Sequence, residues 1–346
     1  VERILRRCLV KDPEERWQSA RDLLWELKNI PAAPVAARSA KSRPLGWIAA
    51  GVFALVAAAA WLWRPAPEAR VVQVSIAPPE KTALLSVSGS GVGGHALSPD
   101  GRSLVFAARS DSDGSHRLWI RPLHTLAARP LPGTEGGYFP FWSPDGRAVA
   151  FFAQDKLKRI DVAGGPPHVI CDVPLARGGS WSRDGVILFA ALGERGIRRV
   201  SAAGGTPVAV TEPDPARQEV YHYWPEFLPD GRHFIFFARS GENRAGALFV
   251  ESVDATPKSS RRSTLGPASS NAVYSAGHLL FFRERSLLAQ RFDPNRRELE
   301  GEASLLAEDA GVQSAMGRAD LSASSAGALT YASSHAERNR LVWMGR

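Results

Sequence analysis

Apolar residues follow three different rhythms along the chain. In residues 1–30, Ile4, Leu5, Cys8 and Leu9 recur at helical spacing, Pro13 interrupts them, and Leu23, Leu24, Leu27 and Ile30 resume the stripe. Ser19 and Asp22 form a capping box, in which the Ser hydroxyl accepts from an amide one turn on while the carboxylate reaches back. The pattern predicts a short helical pair with Leu23, Leu24, Leu27 and Ile30 on its buried side. Residues 45–63 (LGWIAAGVFALVAAAAWLW) contain no charged side chain. As a helix they span roughly 28 Å, the hydrocarbon thickness of a bilayer.

Beyond residue 70 the rhythm shortens to strands and repeats. Ser98-Pro99-Asp100-Gly101-Arg102 precedes SLVFAA, Trp142-Ser143-Pro144-Asp145-Gly146-Arg147 precedes AVAFFA, Trp181-Ser182-Arg183-Asp184-Gly185 precedes VILFAA, and Phe227-Leu228-Pro229-Asp230-Gly231-Arg232 precedes HFIFFA. Weaker copies stand at Ser275-Ala276-Gly277-His278 before LLFF and at Ser324-Ser325-Ala326-Gly327 before ALTYA. In such a turn Pro presets φ, Asp bonds nearby amides and Gly accepts a left-handed backbone. Each following run is apolar on both faces, as in a strand buried between two sheets. Third strands are expected at Leu118-Trp119-Ile120, Leu157 to Val162, Ile197 to Ser201, Leu248-Phe249-Val250 and Leu287 to Phe292, and fourth strands after Ala163-Gly164-Gly165-Pro166 and Ala203-Gly204-Gly205-Thr206-Pro207. A four-strand unit recurring roughly every 40–50 residues has the period of a propeller blade. The expected fold is mainly β: about six four-stranded blades, with an incomplete ring as an open alternative because residues 340–346 read as the start of a hairpin. Residues 71–76 alternate suitably for a strand that closes the ring.

Two families resemble these segments. Cys8-Leu9-Val10-Lys11-Asp12-Pro13-Glu14-Glu15-Arg16-Trp17, followed by Ser19-Ala20-Arg21-Asp22-Leu23, resembles the last subdomain of protein kinases, where the residue matching Arg16 pairs with a glutamate of the A-P-E motif. The S-P-D-G turns resemble those of TolB-like, WD-repeat-like propellers over residues 70–346, a family whose members bind, scaffold or catalyse. Together they imply the C-terminal part of a bacterial transmembrane serine/threonine kinase with an outer sensor propeller, truncated at its N-terminus. The domain boundaries on this reading are kinase helices at 1–30, a juxtamembrane linker at 31–44, a transmembrane helix at 45–63 and the propeller at 70–346. The alternative is a non-enzymatic envelope scaffold of TolB-like type.

Composition and charge sharpen this picture. The first 44 residues carry ten Lys/Arg against six Asp/Glu, half of a formal net charge of +8. Arg38, Lys41 and Arg43 precede the apolar stretch, with Arg64 and Arg70 after it. That bias favours a cytoplasmic N-terminus and an extracytoplasmic propeller in a single-pass inner-membrane protein. Trp47, Trp61 and Trp63 suit the two interfaces. A core helix would show a polar stripe, and a signal peptide would end in small residues. The partners implied are the lipid bilayer through residues 45–63 and an extracytoplasmic ligand or protein; no base-reading motif points to nucleic acid. Cys8 and Cys171 fall on opposite sides of the membrane and cannot pair.

Candidate chemistry is sparse. No lysine strand, H-R-D loop, D-F-G or A-P-E motif is present, so this chain is not expected to transfer phosphate. Gly89-Ser90-Gly91-Val92-Gly93-Gly94 matches a nucleotide loop formally, but a turn sequence follows instead of a helix. No G-x-S-x-G elbow occurs, and the eight histidines lack metal spacing. Asp100, Asp145, Asp184 and Asp230 are read as turn residues in preference to calcium ligands. Tyr221, His222, Tyr223 and Trp224 are the densest aromatic group, read as packing between blades in preference to a ligand funnel. No catalytic, cofactor-binding or metal-binding residue is assigned.

Overall fold

The computed structural model describes residues 73–85, 93–241, 246–257, 261–308, 312–313, 317–332 and 341–344, and near the start of the chain Lys11, Asp12, Ser19, Arg21, Leu24, Trp25 and Lys28. The chain divides into two compact units, residues 1–68 and 69–346. In the first, Arg21, Leu24, Trp25 and Lys28 are helical, as the capping box predicts. Leu24, expected on the buried stripe, is instead 54% exposed. Arg16, Cys8 and the apolar stretch 45–63 lie outside the described residues. Among those described, no helix is long and apolar enough to cross a membrane.

The second unit is a β-propeller. Its strands are β1 (Gln73–Ile76), β2 (Thr82–Leu84), β3 (His95–Leu97), β4 (Ser103–Ser110), β5 (His116–Pro122) and β6 (Arg129–Pro130). The second blade holds β7 (Tyr138–Trp142), β8 (Ala148–Ala153), β9 (Lys156–Asp161) and β10 (His168–Asp172). The third holds β11 (Ala176–Trp181), β12 (Val186–Ala191), β13 (Ile197–Ser201) and β14 (Val208–Ala209). The fourth holds β15 (Glu219–Phe227), β16 (His233–Ser240), β17 (Gly246–Ser252) and β18 (Ser263–Ala268). The fifth holds β19 (Ala272–Ser275), β20 (His278–Arg283), β21 (Ser286–Asp293) and β22 (Glu298–Ala307). A ribbon, β23 (Val312–Gln313) with β24 (Arg318–Ala319), leads to β25 (Leu321–Ala323), β26 (Leu329–Ala332) and β27 (Leu341–Met344).

Two expectations are corrected in detail. Five blades have four strands, whereas the first sheet has five, because β2 and β3 share one edge of β4: Leu84 opposes Ala108 and His95 opposes Phe106. Its inner strand is in effect split in two. The ring is also not left incomplete by the C-terminal hairpin. β1 pairs with β27 in register from Gln73 opposite Met344 to Ile76 opposite Leu341, so the last blade takes its outermost strand from the beginning of the propeller. The innermost strands β3, β7, β11, β15, β19 and β25 then meet in succession, and β25 meets β3 again.

The second strand of each blade is buried because both of its faces meet a neighbouring blade. β8 is buried over five consecutive residues from Val149 to Ala153, and β12 and β16 show the same run. Apolar clusters accordingly lie between blades; one joins Ile76, Leu97, Leu104 and Ala328 where the ring closes. Hydrogen bonds stitch the inner strands together. Trp142 Nε1 donates to the Ala96 carbonyl at 2.9 Å, the Leu97 amide to Ser322 Oγ at 2.9 Å, and the Phe227 amide to Ser180 Oγ at 3.0 Å.

The turns behave as their residues dictate. Gly146 has φ +70°, its amide donates to the Ser143 carbonyl at 2.9 Å, and Asp145 Oδ1 accepts from Ser143 Oγ at 2.6 Å and from the Arg147 amide at 3.0 Å. Asp100 repeats this with Ser98 at 2.5 Å and Arg102 at 3.0 Å. These hydroxyl and amide bonds hold both carboxyls below their ordinary range. The weak fifth copy is a two-residue hairpin with Ala276 and Gly277 both at positive φ, the twist such hairpins need.

Candidate functional site: the central channel

The inner strands enclose a cavity of about 680 Å³ at the hub. Its lining is shaped by bulges. Pairing shifts between Tyr138 and Phe141 in β7, between Ala176 and Gly179 in β11, and between Tyr223 and Glu226 in β15. The bulges put Phe139 (φ +47°), Gly178 (φ +83°) and Trp224 (φ +56°) in left-handed conformations. A bulge re-aims a side chain, and a non-glycine residue held there stores strain of about 1–3 kcal/mol. Gly178 is required for a second reason: a Cβ at that position would lie 2.4 Å from Cε3 of Trp224.

Phe139 and Trp224 meet edge to face at 5.1 Å, and the Arg318 guanidinium lies 4.3 Å from one ring centre and 4.8 Å from the other. Arg318 Nε donates to Asp320 Oδ1 at 3.3 Å. This cation is therefore stacked, paired and largely buried. His95, also in the lining, is held neutral by burial, which lowers its pKa against the pull of Asp320. Where the inner strands end, the cavity is lined by Pro99, Pro144, Arg183, Pro229 and Ser325, contributed by the repeated turns. Arg183 donates there to the Pro229 carbonyl.

Glu226 differs from every other charged group in the lining. It is half-buried on β15 and has no hydrogen bond or ion pair among the described residues. Burial pushes its carboxyl up to about 8, with no neighbouring charge contributing. Phe141, Trp142, Trp181, Phe227 and Tyr274 line the same cavity.

A second constellation on β15 imitates a catalytic triad. Thr211 Oγ1 lies 2.8 Å from His222 Nδ1, and His222 Nε2 lies 3.0 Å from Glu219 Oε2. Arg262 donates to the same Glu219 oxygen at 2.7 Å, as does the Asp214 amide at 2.8 Å. Burial alone would raise the Glu219 pKa; the bonds from His222 and Asp214 and the Arg262 charge outweigh it and hold the carboxyl low. Burial likewise lowers His222, so a neutral ring donates from Nε2 and accepts the Thr211 hydroxyl at Nδ1. Thr211 also accepts the Ile197 amide at 2.9 Å. In the first blade Thr134 accepts the Leu118 amide at 3.0 Å in the corresponding place, and its hydroxyl donates to the Leu131 carbonyl at 2.6 Å instead of to a histidine. The threonine is thus a recurrent blade fastener, Thr211 and His222 are buried, and none of the three residues lines the central cavity.

The aromatic group read as packing divides on inspection. His222 and Tyr223 are buried, Tyr221 stacks on Tyr223 at 5.3 Å, and Trp224 lines the cavity. Asp100 and Asp145 border a smaller cavity of about 400 Å³ between the first two blades, but their oxygens already serve their own turns. Among the described residues no group of three His, Cys, Asp or Glu could hold a metal ion. Gly94 opens strand β3 instead of a helix, so the formal nucleotide motif lacks its context. Burial raises the Cys171 thiol to about 11, which makes it a poor nucleophile. Sequence reading missed Glu226, Arg318 and Arg262; the one local signal was a lone acid inside the aromatic run 221–227.

No protein-family model matches the chain, and no curated protein matches it. Solved structures do resemble it. An oligogalacturonate lyase in complex with manganese aligns with TM-score 0.50 and 12% identity over 81% of this chain and 94% of that one. TolB from Acinetobacter baumannii aligns with TM-score 0.45 and 15% identity over 61% of this chain and 55% of that one. At such identities the likeness is one of fold, and the class defined is the β-propeller.

Proposed function

We propose that the propeller is the extracytoplasmic sensor of a receptor-type serine/threonine kinase and that its central channel receives the ligand or partner. The observation carrying the binding part is the cavity itself, a ligand-sized hollow lined by aromatic rings and by Glu226, whose carboxyl has no partner among the described residues. The kinase part is supported by the sequence 8–23, the membrane part by the uncharged stretch 45–63, and their order matches a cytoplasmic domain, an anchor and an outer domain. On this reading residues 1–30 and 31–44 are kinase helices and linker. The chain itself transfers no phosphate, because the residues that hold Mg²⁺-ATP are absent from it.

A periplasmic-type reporter fused after residue 346 is expected to be active in a Gram-negative host, and to lose activity when residues 45–63 are deleted. Activity of a cytoplasmic-type reporter at that position overturns the topology. Incorporation of radiolabel from ATP into the chain or a generic substrate, above a blank, overturns the absence of catalysis.

A further inference from the structure

Among the described residues, one ionisable group in the channel wall lacks a partner. Arg318 is answered by Asp320 and sandwiched by Phe139 and Trp224. His95 is neutral by burial. Arg183 lies where the turns gather and bonds to a carbonyl. Glu226 alone faces the hollow with neither a hydrogen bond nor an opposite charge among the described residues. The elements packed on β15 supply none at the cavity: β11 presents Gly179, Ser180 and Trp181, β19 presents Ala272, Val273 and Tyr274, and Ile235 of β16 stands opposite Glu226 in the sheet. The cations nearby on β11, β13 and the turn Pro215–Arg217 lie outside the lining and are engaged elsewhere: Arg177 with the Leu175 and Ala176 carbonyls, Arg198 with Glu194, Arg199 with Asp254 and Arg217 with Asp214.

We propose that the channel binds an organic cation, an ammonium or guanidinium group whose charge is met by the Glu226 carboxylate and whose body is enclosed by Phe141, Trp142, Trp181, Phe227 and Tyr274. Aromatic rings attract cations through their quadrupoles, and the attraction grows where water is excluded. A carboxylate in such a place costs free energy until a cation arrives, so a cationic ligand gains the pairing that the fold withholds. An anion finds both arginines of the described lining already engaged, Arg318 with Asp320 and Arg183 with the Pro229 carbonyl.

The chemistry implies a proton linkage. Burial holds the Glu226 carboxyl up at about 8, so its protonated form prevails at neutral pH. A bound cation favours the ionised form, so binding releases this proton. Affinity then rises with pH below about 8, by up to about tenfold per unit, and levels off above it.

This inference rests on the channel being a binding site, and the test separates the two claims. The full chain is titrated calorimetrically with benzyltrimethylammonium, benzyl alcohol and benzenesulfonate, which share a ring and differ in charge, at about pH 6, 7 and 8 in buffers of differing ionisation heat. The expected result is preferential binding of the ammonium, tightening from pH 6 to 8, with release of nearly one proton at pH 6 falling to about half a proton at pH 8. Glu226→Gln loses the pH dependence and at least about tenfold in affinity at pH 8, while Glu226→Asp keeps the pH dependence. Equal or tighter binding of the alcohol or the sulfonate by the wild-type chain overturns the cation assignment and leaves the binding site standing. Binding of none of the three overturns both, and unchanged ammonium affinity in Glu226→Gln overturns the role of that carboxylate.

Discussion

Strand β15 carries two carboxylates in opposite circumstances. Glu219, at its start, receives His222, Arg262 and the Asp214 amide, and is held low in pKa despite burial. The carboxyl of Glu226, near its end, receives nothing among the described residues and is pushed up to about 8. A buried charge is tolerated when the fold supplies its partners, and the first site is therefore architecture: it ties β18's approach and the loop after β14 to the inner strand. The second leaves the partner to something outside the chain. Triad-like geometry at the first and a cavity wall at the second show why distances alone mislead: Glu219 Oε1 also lacks a hydrogen bond but is buried away from the cavity, so it is access that separates a fastener from a site.

The largest effect expected is at the fastener. Arg262→Ala leaves Glu219 buried with one counter-charge fewer and should cost about 3–5 kcal/mol in urea unfolding. Pairing it with Glu219→Gln should recover much of that loss, whereas additive losses would mean the two residues act separately. Next comes the turn: Gly146→Val forces a β-branched residue to positive φ and should cost about 2–3 kcal/mol, although the space around it is open, with Pro99 Cδ 3.8 Å from the added Cβ.

Glu226→Gln follows, and its sign depends on pH. Its folded pKa lies above the unfolded one, so the folded state holds the extra proton and stability falls as pH rises from about 4.3 towards 8. The variant should gain about 1–2 kcal/mol relative to wild type between pH 5 and pH 8, the full shift being discounted for partial solvent access. Glu219 behaves in the opposite sense, contributing stability above its unfolded pKa that is lost as acid protonates it. Asp145→Ala should be smallest, about 0.5–1.5 kcal/mol through its two turn bonds. Chelator should leave the melting temperature of the wild type unchanged; a marked drop would restore the calcium reading of these aspartates.

What the sequence disclosed follows from how local each feature is. The S-P-D-G turns are legible because Ser143, Asp145 and Gly146 bond within a few residues of one another. Ring closure by residues 73–76 was visible as alternation, yet its partner β27 is remote in the chain and the pairing depends on the whole ring. Arg318 with Phe139 and Trp224, and Glu219 with Arg262, are brought together only by the blades, so no window of sequence contains them. Glu226 stood inside an aromatic run, but nothing local says that a bulge would leave it facing a hollow. The split inner edge of the first blade, where β2 and β3 share β4, was hidden for the same reason.

The contrast between the two carboxylates is tested most directly by a carbon-13 NMR titration of glutamate side-chain carboxyls in the full chain, with Glu226 assigned through Glu226→Gln. The account predicts a Glu226 midpoint near 8 without ligand that moves down when benzyltrimethylammonium is added, beside a Glu219 resonance that titrates below the ordinary glutamate range. An ordinary midpoint near about 4.3 for Glu226, unmoved by the cation, would contradict it.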